Sequence, residues 1–191
     1  MPLGANKVAL YGASADTGSA VLLSTATASN DASIEFTGIF TDAYKQYCIG
    51  FYSCYPHTNE ADLCFQVNAS GQSGYNETIT SSAFWARHDE SGSSSGLSYS
   101  TSHDQAQGTS FQNIGFDQPY HADAAYFGHM MIFNPASTTY VKHFYSRVLT
   151  SDQSRDIFSA GYINNSAAIS DLKVQMSSGN ITGTVKVWGI S

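Results

Sequence analysis

Thr184-Val185-Lys186-Val187-Trp188 alternates polar and apolar side chains through Val187. Neighbouring side chains of an extended strand point to opposite faces, so Val185 and Val187 share one face while Thr184 and Lys186 share the other. Ser33-Ile34-Glu35-Phe36-Thr37 repeats the pattern near the opposite end of the sequence. Strands with one dry and one wet face belong to a sheet packed on one side only, which is the signature of an antiparallel architecture.

Between these two runs the chain keeps the same character. Asn134-Pro135-Ala136-Ser137-Thr138-Thr139 separates residues 130–133 from residues 140–145. Proline cannot donate to a ladder, so the two flanking runs read as a hairpin. Runs rich in β-branched and aromatic residues, spaced by Ser, Gly, Asn and Asp, predict strands over 21–28, 32–37, 46–55, 61–67, 82–87, 97–100, 110–116, 124–133, 139–149, 156–162, 171–176 and 183–190. No longer window keeps a helical period, and residues 41–47 allow a turn or two before a strand. Many short strands with turn chemistry between them predict an all-β, antiparallel two-sheet β-sandwich, jelly-roll-like, better than a barrel with long ladders. The loops 68–76 and 89–96 read as exposed and mobile.

The 191 residues suffice for one well-buried core. Residues 1–19, broken by Gly4, Gly12 and Gly18, hold neither period and read as an extended N-terminal arm, with one β-sandwich domain over 20–191. An arm that cannot bury itself packs on a neighbour, so Leu3, Asn6, Lys7, Val8, Leu10 and Tyr11 are the candidate anchoring residues. No signal peptide and no membrane-spanning run is legible, which predicts synthesis in the cytoplasm and no membrane insertion.

Charged residues make up 12% of the chain, about half the usual share, with a net charge of -7. Eight basic residues without a cluster argue against nucleic acid. Cys48, Cys54 and Cys64 match no metal-ligand spacing and an odd number cannot all pair, so free, half-buried thiols are expected, with a Cys54–Cys64 bridge as the alternative.

Catalytic signals are weak. Gly92-Ser93-Ser94-Ser95-Gly96 satisfies the hydrolase-elbow pattern formally, but acidic residues precede it and a short strand follows, where an elbow needs a strand and then a helix. Of six histidines, only His88, His103 and His121 neighbour carboxylates in the chain, and none has a zinc spacing. Alternation would turn His121 and Asp123 the same way, with Asp117 as a third cation ligand, although polar loop residues are the simpler reading. Nothing singles out a pair among Glu35, Glu60, Glu77 and Glu90 for glycoside hydrolysis, and no nucleotide cradle is present. No enzyme activity, cofactor or metal is therefore expected. The many tyrosines and two tryptophans read as core and sheet-face residues first and as sugar or subunit contacts second.

Three segments carry a resemblance: residues 4–12 (Gly-Ala-Asn-Lys-Val-Ala-Leu-Tyr-Gly), residues 132–142 around Asn134-Pro135, and residues 176–190 ending in Trp188-Gly189-Ile190. Together they resemble a diffuse family of virion structural proteins of tailed bacteriophages from aquatic bacteria. That resemblance implies a single sandwich, a non-catalytic role on the particle exterior, a homotrimer, and the major capsid protein or tail proteins as partners. Family members occur as head decorations and in tail fibres. A fibre needs a heptad or β-helical shaft, which this chain lacks, so a capsid decoration or cement protein docking by its arm is the favoured reading. The alternative is a tail-fibre or adhesin module that binds a host surface glycan through loop aromatics near Tyr75, Tyr99 or Tyr120.

Overall fold

The structure is a computed structural model and describes residues 20–118, 120, 123–151 and 153–191. The six arm residues singled out above and His121 lie outside the described residues. Twelve strands are formed: β1 (Ala20–Asp31), β2 (Ile34–Phe36), β3 (Gln46–Pro56), β4 (Ala61–Ala69), β5 (Ile79–His88), β6 (Ser95–Tyr99), β7 (Gln112–Gln118), β8 (Tyr126–Phe133), β9 (Lys142–Thr150), β10 (Arg155–Ile163), β11 (Ile169–Met176) and β12 (Ile181–Ile190). Each overlaps a strand predicted from the sequence, and no helix occurs among the described residues. Residues 41–47 supply only a turn before β3.

The strands make two antiparallel sheets, an eight-stranded one ordered β1-β12-β3-β8-β9-β10-β5-β6 and a four-stranded one ordered β2-β11-β4-β7. Setting aside the hairpins β5–β6 and β9–β10, the remainder is β1-β12-β3-β8 facing β2-β11-β4-β7. This is a jelly roll: β1, β2, β3 and β4 pair in turn with β12, β11, β8 and β7, as a long ribbon folded back on itself and rolled up. The two added hairpins widen only the larger sheet.

The main core lies between the sheets, where Ile49, Phe51, Val185 and Val187 of the larger meet Leu63, Phe65, Val67 and Val174 of the smaller. Phe65 meets Phe144 edge-on across the interface at 5.0 Å, a geometry worth about 1 kcal/mol beyond area burial. A second cluster of Ala83, Phe116 and Ile157, with Trp85 against it, sits under the added hairpins. The 130–145 hairpin pairs Ile132 with Phe144 and Phe127 with Leu149, and its turn closes through the Ser137 N–H on the Asn134 carbonyl.

Two expectations need correction. Cys54 and Cys64 are fully buried and only Cys48 is half-buried; all three are free, so the Cys54–Cys64 bridge is not formed. The loop expected from residue 68 begins later, because Asn68 and Ala69 extend β4, where the Asn68 carboxamide oxygen accepts the Tyr75 N–H. The polar face of β4 is also not open to water. Gln66, fully buried, donates to the carbonyls of Glu77 and Ser110, so the loops around those residues cover the outer face of the smaller sheet.

Two further buried polar groups find backbone partners. Lys142, at the inner end of β9, donates to the carbonyls of Asn165 and Ala167, and its burial lowers the pKa of the amine, with Glu77 opposing. Tyr126, fully buried, accepts the Gln118 N–H and donates to the Ala61 carbonyl, both at 3.1 Å, stitching β8 to the β4–β7 edge. Tyr126→Phe keeps the ring and strands both backbone groups, so the urea unfolding free energy should drop by about 1–3 kcal/mol. An unchanged midpoint would mean that this phenol holds nothing together.

Candidate functional site

At the β7 edge of the smaller sheet three chain-distant groups converge. Asp62 comes from β4, Asp117 from β7, and His103 from the loop after β6. One potential ligand atom from each lies within 4.8 Å of the other two. His103 Nε2 is 3.4 Å from Asp62 Oδ2, and its ring stacks on Phe116 at 4.0 Å. Its Nδ1 is engaged by the hydroxyls of Ser100 at 2.6 Å and Ser102 at 3.0 Å.

The two carboxylates are held from behind. Asp62 accepts the Asn113 carboxamide N–H at 2.8 Å and the Asp117 backbone N–H at 2.9 Å, and the buried Cys64 thiol donates to Asn113 Oδ1. Asp117 takes a left-handed backbone (φ 51°), and its carboxylate receives Arg155 Nη1 at 2.9 Å. A cleft of about 390 Å³ opens beside the cluster, lined by His103, Gln105, Phe111 and Asn113 among others.

The sequence pointed elsewhere for the partners of these residues. His103 meets Asp62 rather than its neighbour Asp104, which accepts the Tyr99 hydroxyl at 2.5 Å. Asp117, weighed above as a third ligand for His121 and Asp123 against the simpler reading of polar loop residues, has a carboxylate oxygen near Asp62 and His103. No signal in the sequence links residues 62 and 103, because the closure depends on the fold of β4 against β7.

Ser100, His103 and Asp62 form a line that superficially matches a hydrolytic triad. Ser100 is only 8% exposed, and the histidine-to-carboxylate distance of 3.4 Å is beyond a good hydrogen bond, so the serine is neither open to substrate nor backed by an oriented base. The 92–96 pattern lies on the β5–β6 hairpin, with no helix after it. There Asp89 accepts the Ser93 hydroxyl and the Ser94 N–H, bonds that hold its carboxyl down at about 2. Among the glutamates, Glu35 pairs with Lys173 at 2.8 Å and Glu77 accepts the Ala69 N–H and the Asn165 carboxamide.

The second feature is the outer face of the eight-stranded sheet. Register places Tyr99, Phe84, Phe158, Arg147 and His129 in one row across it, and Ala160, Tyr145, Met131, Cys48 and Trp188 in the next. Phe84 is 41% exposed, Phe127 46%, Tyr145 44% and Leu97 74%. A smaller aromatic set, Tyr55, His57 and Tyr120, lines up at centroid spacings of 5.4 and 5.5 Å. No protein-family model, no curated protein and no solved structure matches this chain.

Proposed function

We propose that this chain is a non-catalytic structural protein of the exterior of a tailed-phage particle, a capsid decoration protein whose copies associate through the outer face of the eight-stranded sheet. The observation that carries the proposal is that apolar face. Eight strands spaced about 4.8 Å apart, most of them 8–10 residues long, span roughly 900 Å², above the about 800 Å² per partner of a stable interface. The exposed apolar side chains of the face, Phe84, Leu97, Tyr99, Phe127, Tyr145 and Leu149, are the part that marks an association site.

A second copy is the occupant that fits. The face offers both signs of charge, Arg147 and Lys186 against Asp156, with Arg147 and Asp156 already paired at 2.7 Å. Such a surface presents no field for a strongly charged partner, and in a closed trimer one part of it on one copy meets a different part on the next. The jelly roll supports the reading by analogy, since capsid and lectin domains share it, but fold alone does not assign function. The phage particle and the docking arm rest on the sequence resemblance, and a trimer is the state proposed.

Light scattering on the purified chain tests association: a trimer is expected for the wild type and a folded monomer for Phe84→Asp with Leu97→Asp. A monomeric wild type at tens of micromolar would sink the interface. Immunogold labelling of purified particles tests location, with uniform head labelling expected. Labelling restricted to tails would favour the second reading, a glycan-binding adhesin, for which Tyr120, 50% exposed beside His57, is the specific observation. That reading predicts binders on a glycan array that Tyr120→Ala abolishes.

A further inference from the structure

We propose that Asp62, His103 and Asp117 bind one divalent transition-metal ion, with zinc as the ion whose ligand chemistry fits. Imidazole plus two carboxylates is a nitrogen-and-oxygen set that zinc accepts, whereas calcium takes oxygen ligands throughout.

Distance is the first argument. At 3.4 Å, His103 Nε2 and Asp62 Oδ2 are too far apart for a good hydrogen bond. Two ligands of a tetrahedral zinc, with bonds of about 2.0–2.2 Å, stand about 3.3–3.5 Å apart. The pair thus has the spacing of one edge of a coordination tetrahedron. Asp117, whose side chain is 54% exposed, closes the remaining gap by rotating its carboxylate, since Arg155 occupies only Oδ2.

The hydrogen bonds behind the ligands are the second, independent argument. Nδ1 of His103 has two hydroxyls within reach, and in the tautomer that donates its proton to one of them Nε2 keeps a lone pair 3.4 Å from the Asp62 carboxylate. Two lone pairs facing each other repel unless a cation lies between them. A ligating histidine that gives its other N–H to an oxygen, and ligating carboxylates held by further donors, are the usual outer partners of a metal. Here Ser100 or Ser102 serves the histidine, Asn113 serves Asp62, and Arg155 serves Asp117. The cleft lined by His103 and Asn113 adjoins the cluster on the histidine side and has room for water or a partner's side chain. The ion would clip the loop after β6 onto β4 and β7.

The test uses the full chain in a Cys48→Ser background, stripped with EDTA and dialysed free of it. Zinc chloride is titrated calorimetrically and bound metal is counted by mass spectrometry. One zinc per chain is expected, with a rise in melting temperature. His103→Ala should weaken binding by more than the about 10–100-fold that a change outside the ligand set costs. Asp117→Asn, at an exposed position, should fold as the wild type and still bind at least about 10-fold more weakly. Circular dichroism confirms that each variant is folded. No zinc uptake by the folded wild type would overturn the proposal. Uptake undiminished in folded His103→Ala would overturn it equally, because the ion would then sit elsewhere.

Discussion

Gly183→Val is expected to cost about 2–6 kcal/mol, a large part of the folding free energy. Gly183 stands where β12 crosses a bulge in its pairing with β3: Thr182 pairs with Tyr55 and Thr184 with Tyr52, so two residues of β3, Ser53 and Cys54, face one residue of β12. Its backbone has φ +145°, which side-chain-bearing residues rarely adopt. A Cβ there would lie 2.6 Å from Cys54 Cα and 2.8 Å from the Ser53 carbonyl oxygen, both backbone atoms that cannot rotate away. Strain contributes about 1–3 kcal/mol and overpacking about as much again, against a total stability of about 5–15 kcal/mol. Because β12 lies between β1 and β3, a displacement there spreads to both neighbours. Gly96→Ala is the control, since nothing lies within 4 Å of its Cβ position, and it should change stability by less than about 0.5 kcal/mol. Urea titration of the two variants separates them. A Gly183→Val protein with the wild-type midpoint would show that the bulge is absent.

The elements of this fold were legible in the sequence because each depends on a local period. The run 184–188 reads as a strand from five residues, and Pro135 marks its turn without reference to anything distant. Topology was not legible in the same way. β1 and β12 pair Ala20 with Ile190, at opposite ends of the chain, and no local pattern specifies such a register. The same limit hid the Asp62–His103–Asp117 cluster: adjacency in sequence suggested Asp104 for His103, whereas the sheet brings Asp62. The burial of Gln66 was hidden for a related reason. Alternation assigns it to a wet face, but the loops at Glu77 and Ser110 roof that face and satisfy its amide.

That roof explains why association is assigned to one sheet and not the other. Cys64, Gln66 and Asn68 point away from the core and are nonetheless buried by the chain's own loops. The eight-stranded sheet, widened by the two added hairpins, carries Phe84, Phe127, Tyr145 and Leu149 outward, each more than 40% exposed. Where the chain supplies its own cover the outward residues are amide, thiol and carboxamide groups. Where it supplies none, exposed aromatic and leucine side chains stand beside Arg147, Lys186 and Asp156, a mixture that suits contact with another molecule.

Stability should also fall steeply above about pH 9, and buried thiols are the cause. Burial pushes Cys54 up to about 12, with hydrogen bonds to the Tyr52 and Thr184 carbonyls opposing, and it pushes Cys64 higher still, helped by the charge of Asp62. Burial raises the Tyr126 phenol well above 10, with Asp62 again adding to it. In the unfolded chain the thiols ionise near 9 and the phenol near 10. Above pH 9 the unfolded state has released protons that the folded state still holds, so stability that is complete below the unfolded pKa is lost as pH climbs toward the folded one. Each thiol removes about 1.4 kcal/mol per pH unit in that window, and the two thiols with Tyr126 together remove about 3 kcal/mol between pH 8 and pH 10. Lys142, whose pKa is lowered, acts with the opposite sign over the same range, because its unfolded form keeps a proton that the folded form gives up more readily. Urea midpoints at pH 8 and pH 10 under reducing conditions read the net slope. In the Cys54→Ala, Cys64→Ala double variant the cavities cost the same at both values, while the pH-dependent loss should shrink by about 2.7 kcal/mol, the share of the two thiols, and the raised Cys48, Tyr75 and Tyr99 keep theirs. A wild type with coincident midpoints at the two pH values would mean that these thiols ionise as readily folded as unfolded, and so are not buried between the sheets and under the loops.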